Sequence, residues 1–296
     1  MLSYNRRDML AHCLEQMGGG NHPELEILVF DNASTDGSAD MVRSRFPRIR
    51  LLRSEENLGI EGYNRAVAVA SGEVILVLDD DSYVEPDAIP LALERFSSDP
   101  TVGVVAFQVL LRDGRSVTAG WPAQVPSFWG CGAAVRRSLW DRLGGYDPDF
   151  FLYLNEVDLA IRVWDAGYQV VYEPSCRAHH LVDKQNRASG RLLYHSVRNV
   201  ILFQLKNVPA HRWPRTMSAD LLSYFSLALL ARRPLAWLRG LWAGWRDRRL
   251  ALARRRPVSE GVVDFYLRTA FMWKWPHRQW MEKRNLGTLN TNPRDV

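Results

Sequence analysis

Two short apolar runs, Leu25–Phe30 (LEILVF) and Val74–Leu78 (VILVL), each pass without a spacer into a polar cluster, Asp31-Asn32-Ala33-Ser34-Thr35-Asp36-Gly37-Ser38 after the first and Asp79-Asp80-Asp81-Ser82 after the second. A continuous run of branched apolar residues is the pattern of a strand buried on both faces, which is the setting of parallel sheets covered by helices. In open sheets of that kind, ligands gather where the strands end and the loops converge. These two junctions are therefore where chemistry is expected.

The intervening segments have helical spacing. Arg7–Met17 places Met9, Leu10, Cys13, Leu14 and Met17 on one face, and Ser38–Phe46, Glu61–Ala70 and Pro86–Phe96 read as further helices. Ile49–Leu52 and Val102–Leu110 read as strands, so the first hundred residues are a series of βαβ units and the fold class is α/β with a mainly parallel sheet. Helices at Arg137–Leu143 and Glu156–Ala166 and a strand at Tyr168–Tyr172 follow. From residue 183 the pattern is helical throughout.

Charge divides the chain at the same place. Residues 1–182 hold 16 Lys+Arg against 26 Asp+Glu, and residues 183–296 hold 22 against 7, so the net +5 is a −10 body followed by a +15 tail. Seven of the 11 tryptophans (213, 237, 242, 245, 273, 275 and 280) lie in that tail. The expected organisation is a domain at 1–182, split into halves at 1–105 and 106–182, with a basic, Trp-rich helical extension at 183–296. The three cysteines, Cys13, Cys131 and Cys176, are scattered, as in a protein of a reducing cytosol. The start is polar within three residues, without the apolar core of a signal peptide. The longest apolar run, about 217–231, is interrupted by Asp220 and is shorter than the ~20 residues that span a bilayer.

In an extended chain Asp79 and Asp81 point the same way and Asp80 the other. Two carboxylates sharing one spot suit a hard divalent cation, which takes oxygen ligands and binds phosphate oxygens in turn. The same residues also suit a turn that caps the helix after Pro86. Asp31, at the end of its strand, is placed to accept a hydrogen bond from the imide N–H of a pyrimidine.

An ordered set of short motifs runs through residues 2–206. It comprises Ser3-Tyr4-Asn5-Arg6, DNASTDGS, Asn57-Leu58-Gly59, Asn64-Arg65, LDDD, GGYDPDFFLY at 144–153, Asn155-Glu156-Val157-Asp158-Leu159 with Arg162, Ala166-Gly167-Tyr168, and Pro174 followed by His179-His180. The set resembles the family 2 glycosyltransferases of GT-A fold, and within them the bacterial rhamnosyltransferase-like members that build surface polysaccharides. That resemblance implies a nucleotide-diphospho-sugar transferase fold with a C-terminal helical extension. It implies donor binding by Tyr4, Asn5, Arg6, Asp31, Asn64, Asp79 and Asp80, and a Mg or Mn ion on Asp79, Asp81 and His180, with His179 the neighbouring alternative. Family members begin with a complete apolar strand where this chain has only Met1 and Leu2, so either the true start lies upstream or the first strand is short and anchors the nucleobase pocket weakly.

In an inverting transfer, a general base removes the proton of the attacking hydroxyl. The resemblance gives that role to Glu156, with Asp158 the rival. Asn155 stands where the family has an acid, which removes a like charge that would raise the pKa of the base. Acceptor contacts are expected from Trp129, which a buried core role would suit equally, and from Asp158; Cys131 has no motif partner and is not expected to be a nucleophile. In the tail, Leu235, Leu238, Leu241, Trp242 and Trp245 recur at helical spacing among arginines, as in a helix lying on an anionic membrane surface or packed on the catalytic body.

Together these readings predict transfer of a sugar from a UDP- or dTDP-linked donor to a glycan or polyprenyl-linked acceptor, by a cytoplasmic protein peripheral on the inner face of the plasma membrane. A non-catalytic sugar-nucleotide- or membrane-binding scaffold derived from the same fold is the alternative. No nucleic-acid module is recognisable, and nucleic acid is not an expected partner.

Overall fold

The computed structural model describes residues 1–21, 25–181 and 190–269; Trp273, Trp275 and Trp280 lie outside them. The chain forms two compact units, residues 1–187 and 188–296.

The first unit is α/β. Strands β1 (Leu2–Ser3), β2 (Leu28–Asp31) and β3 (Arg50–Arg53) form a parallel sheet in the order β1-β2-β3. A parallel bridge from Leu2 to Asp79 joins it to β4 (Val74–Val77). The second sheet runs β4-β7-β6-β8-β5, with β5 at Ser82–Val84, β6 at Val102–Leu111, β7 at Ala133–Arg136 and β8 at Gln169–His180. The βαβ expectation holds for β1 to β4. Beyond them β7 runs antiparallel between β4 and β6, and β5 runs antiparallel to β8.

Strand alternation, shifted once in β6 by an irregularity between Val102 and Val104, assigns helices to the two faces. Val29, Val102, Val105 and Phe107 share a core with Leu10 and Leu14 of α1 (Arg7–Gln16), Met41 and Val42 of α2 (Ser38–Arg45), and Ala92 and Phe96 of α4 (Ala88–Ser98). The neighbouring positions face the other way. Gly103 lies against Leu139 of α5 (Arg137–Leu143) and Val163 of α6 (Asn155–Asp165), while Phe30 meets Gly62 of α3 (Glu61–Val67).

Strand β8 continues well past the expected end at Tyr172. Glu173-Pro174-Ser175 reads as a turn, but the register against β6 jumps from Phe107↔Glu173 to Gln108↔Arg177. The bulge absorbs Pro174 without ending the strand, since a bulged residue has no ladder hydrogen bond to lose. The continuation pairs Ser82 with His180 and Tyr83 with His179.

The second unit contains α7 (Gly190–Asn207), α8 (Trp213–Leu230), α9 (Pro234–Ala253) and α10 (Glu260–Thr269). Helices α7 and α9 approach closely because Gly240 and Gly244 present no side chain; a Cβ on Gly240 would stand 2.8 Å from Val197 Cβ, and one on Gly244 2.6 Å from Ile201 Cδ1. An Arg198–Asp247 ion pair at 2.8 Å links the same two helices. Helix α9 buries Gly240, Ala243, Gly244 and Ala251 and leaves Leu235, Leu238, Trp242 and Trp245 exposed. Among the described residues, no helix is long and apolar enough to cross a membrane.

Gly62 sets how closely α3 approaches the first two strands, as a Cβ there would lie 2.4 Å from Leu2 Cδ1 and 2.7 Å from Phe30 Cδ1. Gly62→Val is expected to cost about 1–3 kcal/mol by overpacking. A Tm unchanged in thermal denaturation would refute this account of the contact.

Candidate active site

The strand ends deliver the acids as the alternation requires. One ligand atom from each of Asp79, Asp81 and His180 lies within 4.8 Å of the others, and His180 Nε2 is 3.2 Å from Asp81 Oδ1. His180 reaches this point through the β5–β8 ladder, and the main-chain N–H of Leu181 donates to the carbonyl of Asp81 at 2.8 Å. His179 faces elsewhere, stacked on Tyr83 at 4.7 Å with Nε2 3.1 Å from Glu85. Of the two histidines, His180 is the one that stands with the acids.

Asp80 points away from this cluster. Buried, it accepts the main-chain N–H of Tyr4 at 3.0 Å and pairs with Arg6 at 3.2 Å. It fastens the 4–6 loop, whose residues are expected at the donor, to the end of β4. Arg6 also contacts Asp81. Burial drives the pKa of Asp80 up to about 7 and raises that of Asp79, where the charge of Asp81 adds to the effect. Asp81 resists its own burial, because His180 and Arg6 hold it below the usual range.

Two neighbours of these acids were not foreseen. The Tyr63 hydroxyl donates to Asp79 Oδ1 at 2.6 Å; its helical position in α3 signals only burial. Arg53, at the end of β3, lies 3.1 Å from Asp31 and also donates to the carbonyl of Ser34. Parallel register sets it beside Asp31, a pairing no local motif encodes. Asp31 is buried at the end of β2. In the adjoining loop the Asn5 N–H donates to Ser34 Oγ at 2.9 Å and Asn5 Oδ1 accepts the N–H of Thr35 at 2.8 Å, while Tyr4 is exposed. Tyr4, Asn5, Arg6 and Asp31 thus line one edge of the strand ends.

Asn64, expected near the donor, bonds main chain at both ends of its amide. Its amide N–H donates to the carbonyl of Tyr146 at 2.7 Å and its oxygen accepts the N–H of Tyr146 at 3.0 Å. It positions the loop that follows Gly145. Asn32 does similar work for Asn57-Leu58-Gly59, accepting the N–H of Leu58 and donating to the carbonyl of Gly59. The next residue, Ile60, donates to the carbonyl of Phe151 at 2.9 Å, and Gly59 is at φ +59 where a Cβ would stand 2.2 Å from that same oxygen.

That contact holds the segment leading into α6, in which Phe151, Tyr153 and Leu154 all have positive φ. Non-glycine residues adopt this conformation at a cost of roughly 1–2 kcal/mol each, and such strain concentrates at functional positions. Glu156 follows in the first turn of α6. Its carboxylate occupies the space above Gly130, where a Cβ would lie 2.4 Å from Oε1. Burial, with the charge of Asp79 adding to it, raises its pKa from 4.5 to about 7, against hydrogen bonds from its own N–H, Asn155 and Gly130. With Asn155 in place of an acid, burial remains the largest cause of the shift at Glu156.

Asp158, two residues on, is different. It is fully buried and paired with Arg162 at 2.6 Å, while Arg162 also donates to the carbonyls of Leu143 and Gly145. The acceptor contact expected of it stands beside this ion pair, with the carboxylate unexposed in the structure. Trp129 is partly exposed and meets His180 edge-on at 6.1 Å, placing an indole beside the acidic cluster. Cys131 is buried, and desolvation pushes its thiol well above the usual range, so it supplies no thiolate.

A fold with these strand-end acids defines a nucleotide-sugar-dependent class, and the comparisons agree. The profile of glycosyl transferase family 2 matches residues 1–158, and the chain belongs to that family. It is 26% identical to N-acetylglucosaminyl-diphospho-decaprenol L-rhamnosyltransferase of Mycobacterium tuberculosis, over 68% of this chain and 82% of that one. Glucosyl-dolichyl phosphate glucuronosyltransferase of Haloferax volcanii is 22% identical over 60% of this chain and 66% of its own. Among solved structures, the mannosyltransferase PcManGT of Pyrobaculum calidifontis, in complex with GDP-Man and Mn²⁺, superposes with a TM-score of 0.59 at 20% identity, over 95% of this chain and 86% of that one. These likenesses establish the GT-A fold.

The two α6 carboxylates should respond oppositely to neutralisation. Asp158→Asn leaves Arg162 buried without its charge partner and is expected to cost about 3–5 kcal/mol. Glu156 has a folded pKa above its unfolded one, so its contribution to stability is present below about pH 4.5 and lost as pH rises to about 7. Glu156→Gln should therefore raise Tm at pH 8 and hardly change it at pH 4.5. Equal Tm shifts for Glu156→Gln at both pH values would contradict this.

Proposed function

We propose that the protein is a metal-dependent inverting glycosyltransferase. In this reading it moves a sugar from a UDP- or dTDP-linked donor to a glycan or polyprenyl-linked acceptor, in the synthesis of a surface polysaccharide. The observation that carries the reading is the convergence of Asp79, Asp81 and His180 on one point, with the partly buried carboxylate of Glu156 raised towards neutrality nearby.

The donor set suits a divalent cation. Two carboxylates and an imidazole offer hard oxygen and borderline nitrogen ligands, and His180 Nδ1 is buried without a hydrogen-bond partner. Asp79, Asp81 and His180 would hold the ion, which when bound neutralises charge on the departing diphosphate. Tyr63 orients Asp79, and Asp80 fixes the loop bearing Tyr4 and Asn5. Asp31 and that loop receive the nucleobase. Glu156 takes the proton of the acceptor hydroxyl, the oxygen forms its bond to the anomeric carbon, and the bond from that carbon to the diphosphate oxygen breaks. Attack opposite the leaving group inverts the configuration. Trp129 offers a ring face for the acceptor sugar.

Support for a lipid-linked acceptor comes from the relatives, whose names specify diphospho-decaprenol and dolichyl phosphate substrates. The exposed Leu and Trp stripe of α9 supports peripheral attachment to the cytoplasmic membrane face. The division into a catalytic domain at 1–182, with donor and acceptor halves meeting near 105, and an extension from 183 belongs to the same proposal.

Glu156→Gln should abolish transfer while the thermal shift given by UDP or dTDP with Mn²⁺ persists; retained turnover removes Glu156 as the base. In the wild type, kcat/KM should fall about tenfold per pH unit below about 7, as the base protonates. Asp81→Asn and His180→Ala should each lose the Mn²⁺-dependent part of the nucleotide shift. A wild-type chain that binds donor and metal and turns over nothing would replace the enzyme with the scaffold reading.

A further inference from the structure

The second unit contains a groove of about 730 Å³ between the first turn of α7 and the α8–α9 connection. Its walls include Arg191, Tyr194, Arg232, Arg233, Leu235 and Arg239, and none of its lining residues is acidic. All four arginines are exposed. Elsewhere in this unit Arg198, Arg212 and Arg246 pair with carboxylates; among the described residues these four do not. His195, on the same face of α7 as Arg191, has its pKa pushed down to about 4 by burial and then by Arg191 and Arg198, so the imidazole brings no compensating charge and no extra proton at neutral pH.

The backbone adds an independent sign. Helix α8 ends in a left-handed residue, the position that glycine fills at least cost. Here it is Arg232, at φ +54, and the N–H of Arg233 donates back to the carbonyl of Ala228 at 2.8 Å. A side chain kept at that conformational cost projects from the rim of the groove. Leu235 belongs both to the groove wall and to the exposed stripe of α9, where it is 66% exposed and Trp242 64%. Helical spacing sets Leu238, Trp242 and Trp245 beside it. Arg246 and Arg248 lie over the Trp242 and Trp245 rings at 5.0 and 4.1 Å, leaving cations at the edge of an apolar strip. A ligand matching this surface carries clustered negative charge at one end and hydrocarbon at the other.

We propose that the arginine groove binds the diphosphate of a lipid-linked acceptor, with the lipid chain along Leu235, Leu238, Trp242 and Trp245. The proposal rests on the lipid-linked acceptor put forward above. Planar guanidiniums bind phosphate oxygens in pairs. Four of them match a diphosphate better than the single charge of a phospholipid.

Farnesyl diphosphate is a soluble probe for calorimetry on the full chain. It should bind at least tenfold tighter than either inorganic pyrophosphate or farnesol. Arg232→Gly combined with Arg239→Gln should weaken it at least tenfold. Because glycine relieves the left-handed backbone, this variant should keep or raise Tm, and its UDP–Mn²⁺ thermal shift should be unchanged. Removing the same charge with Arg112→Gln and Arg115→Gln, in the first unit, should leave binding intact. Pyrophosphate binding as tightly as the lipid would make this a free-anion site. Phosphatidylglycerol vesicles displacing the probe as well as unlabelled farnesyl diphosphate would make it a general membrane surface. Either result, or an unaffected double variant, overturns the proposal. Turnover on a soluble acceptor without farnesyl diphosphate binding would remove this inference alone; lipid diphosphate binding without any turnover would remove the proposed function alone.

Discussion

The antiparallel ladder between β5 and β8 carries the acidic centre, because it sets His180 opposite Ser82, one residue past Asp81. The two segments are about a hundred residues apart in sequence. Backbone hydrogen bonds fix their register, and a slip of one residue would turn His180 to the opposite face and bring another side chain to Asp81. The bulge at Pro174 takes up the surplus residues in β8 that would otherwise offset the pairing. Around that fixed point the acids sort themselves, Asp79 and Asp81 towards the imidazole, Asp80 towards Arg6 and Tyr4.

Much of this was legible from residue order alone. The two apolar runs ending in acids located the site, since a buried strand must surface where its apolar residues stop. The alternation of Asp79 and Asp81 followed from the period of an extended chain. What local pattern did not carry were pairings made at a distance. Strand β7, four residues in a Gly-Cys-Gly context, and β5, three residues after the acids, are too short to show a period. Asp158 shows in sequence as a charge without its partner; in the structure Arg162, one helical turn on, pairs with it at 2.6 Å. The sequence likewise does not show that both ends of the Asn64 amide bond the main chain of Tyr146.

The two units solve opposite electrostatic problems. In the first, carboxylates are crowded together and buried, at a cost that Arg6, Tyr63 and main-chain donors offset only in part. Such a site is held by the surrounding fold rather than holding it. In the second, glycines let α7 and α9 approach closely, Arg198 is buried there against Asp247, and four further arginines stand exposed around the groove. The net charge of +5 averages two surfaces of opposite sign.

The positive φ at Phe151, Tyr153 and Leu154 sets the rotational phase of α6 as well as its starting point. Each residue of an α-helix turns the chain by about 100°. Adding or deleting one residue between the Phe151 carbonyl, held by Ile60, and the first turn of α6 would swing Glu156 away from Gly130 and present Asn155 or Val157 in its place. The segment therefore behaves as a fixed-length spacer, able to exchange side chains but intolerant of any change in residue count.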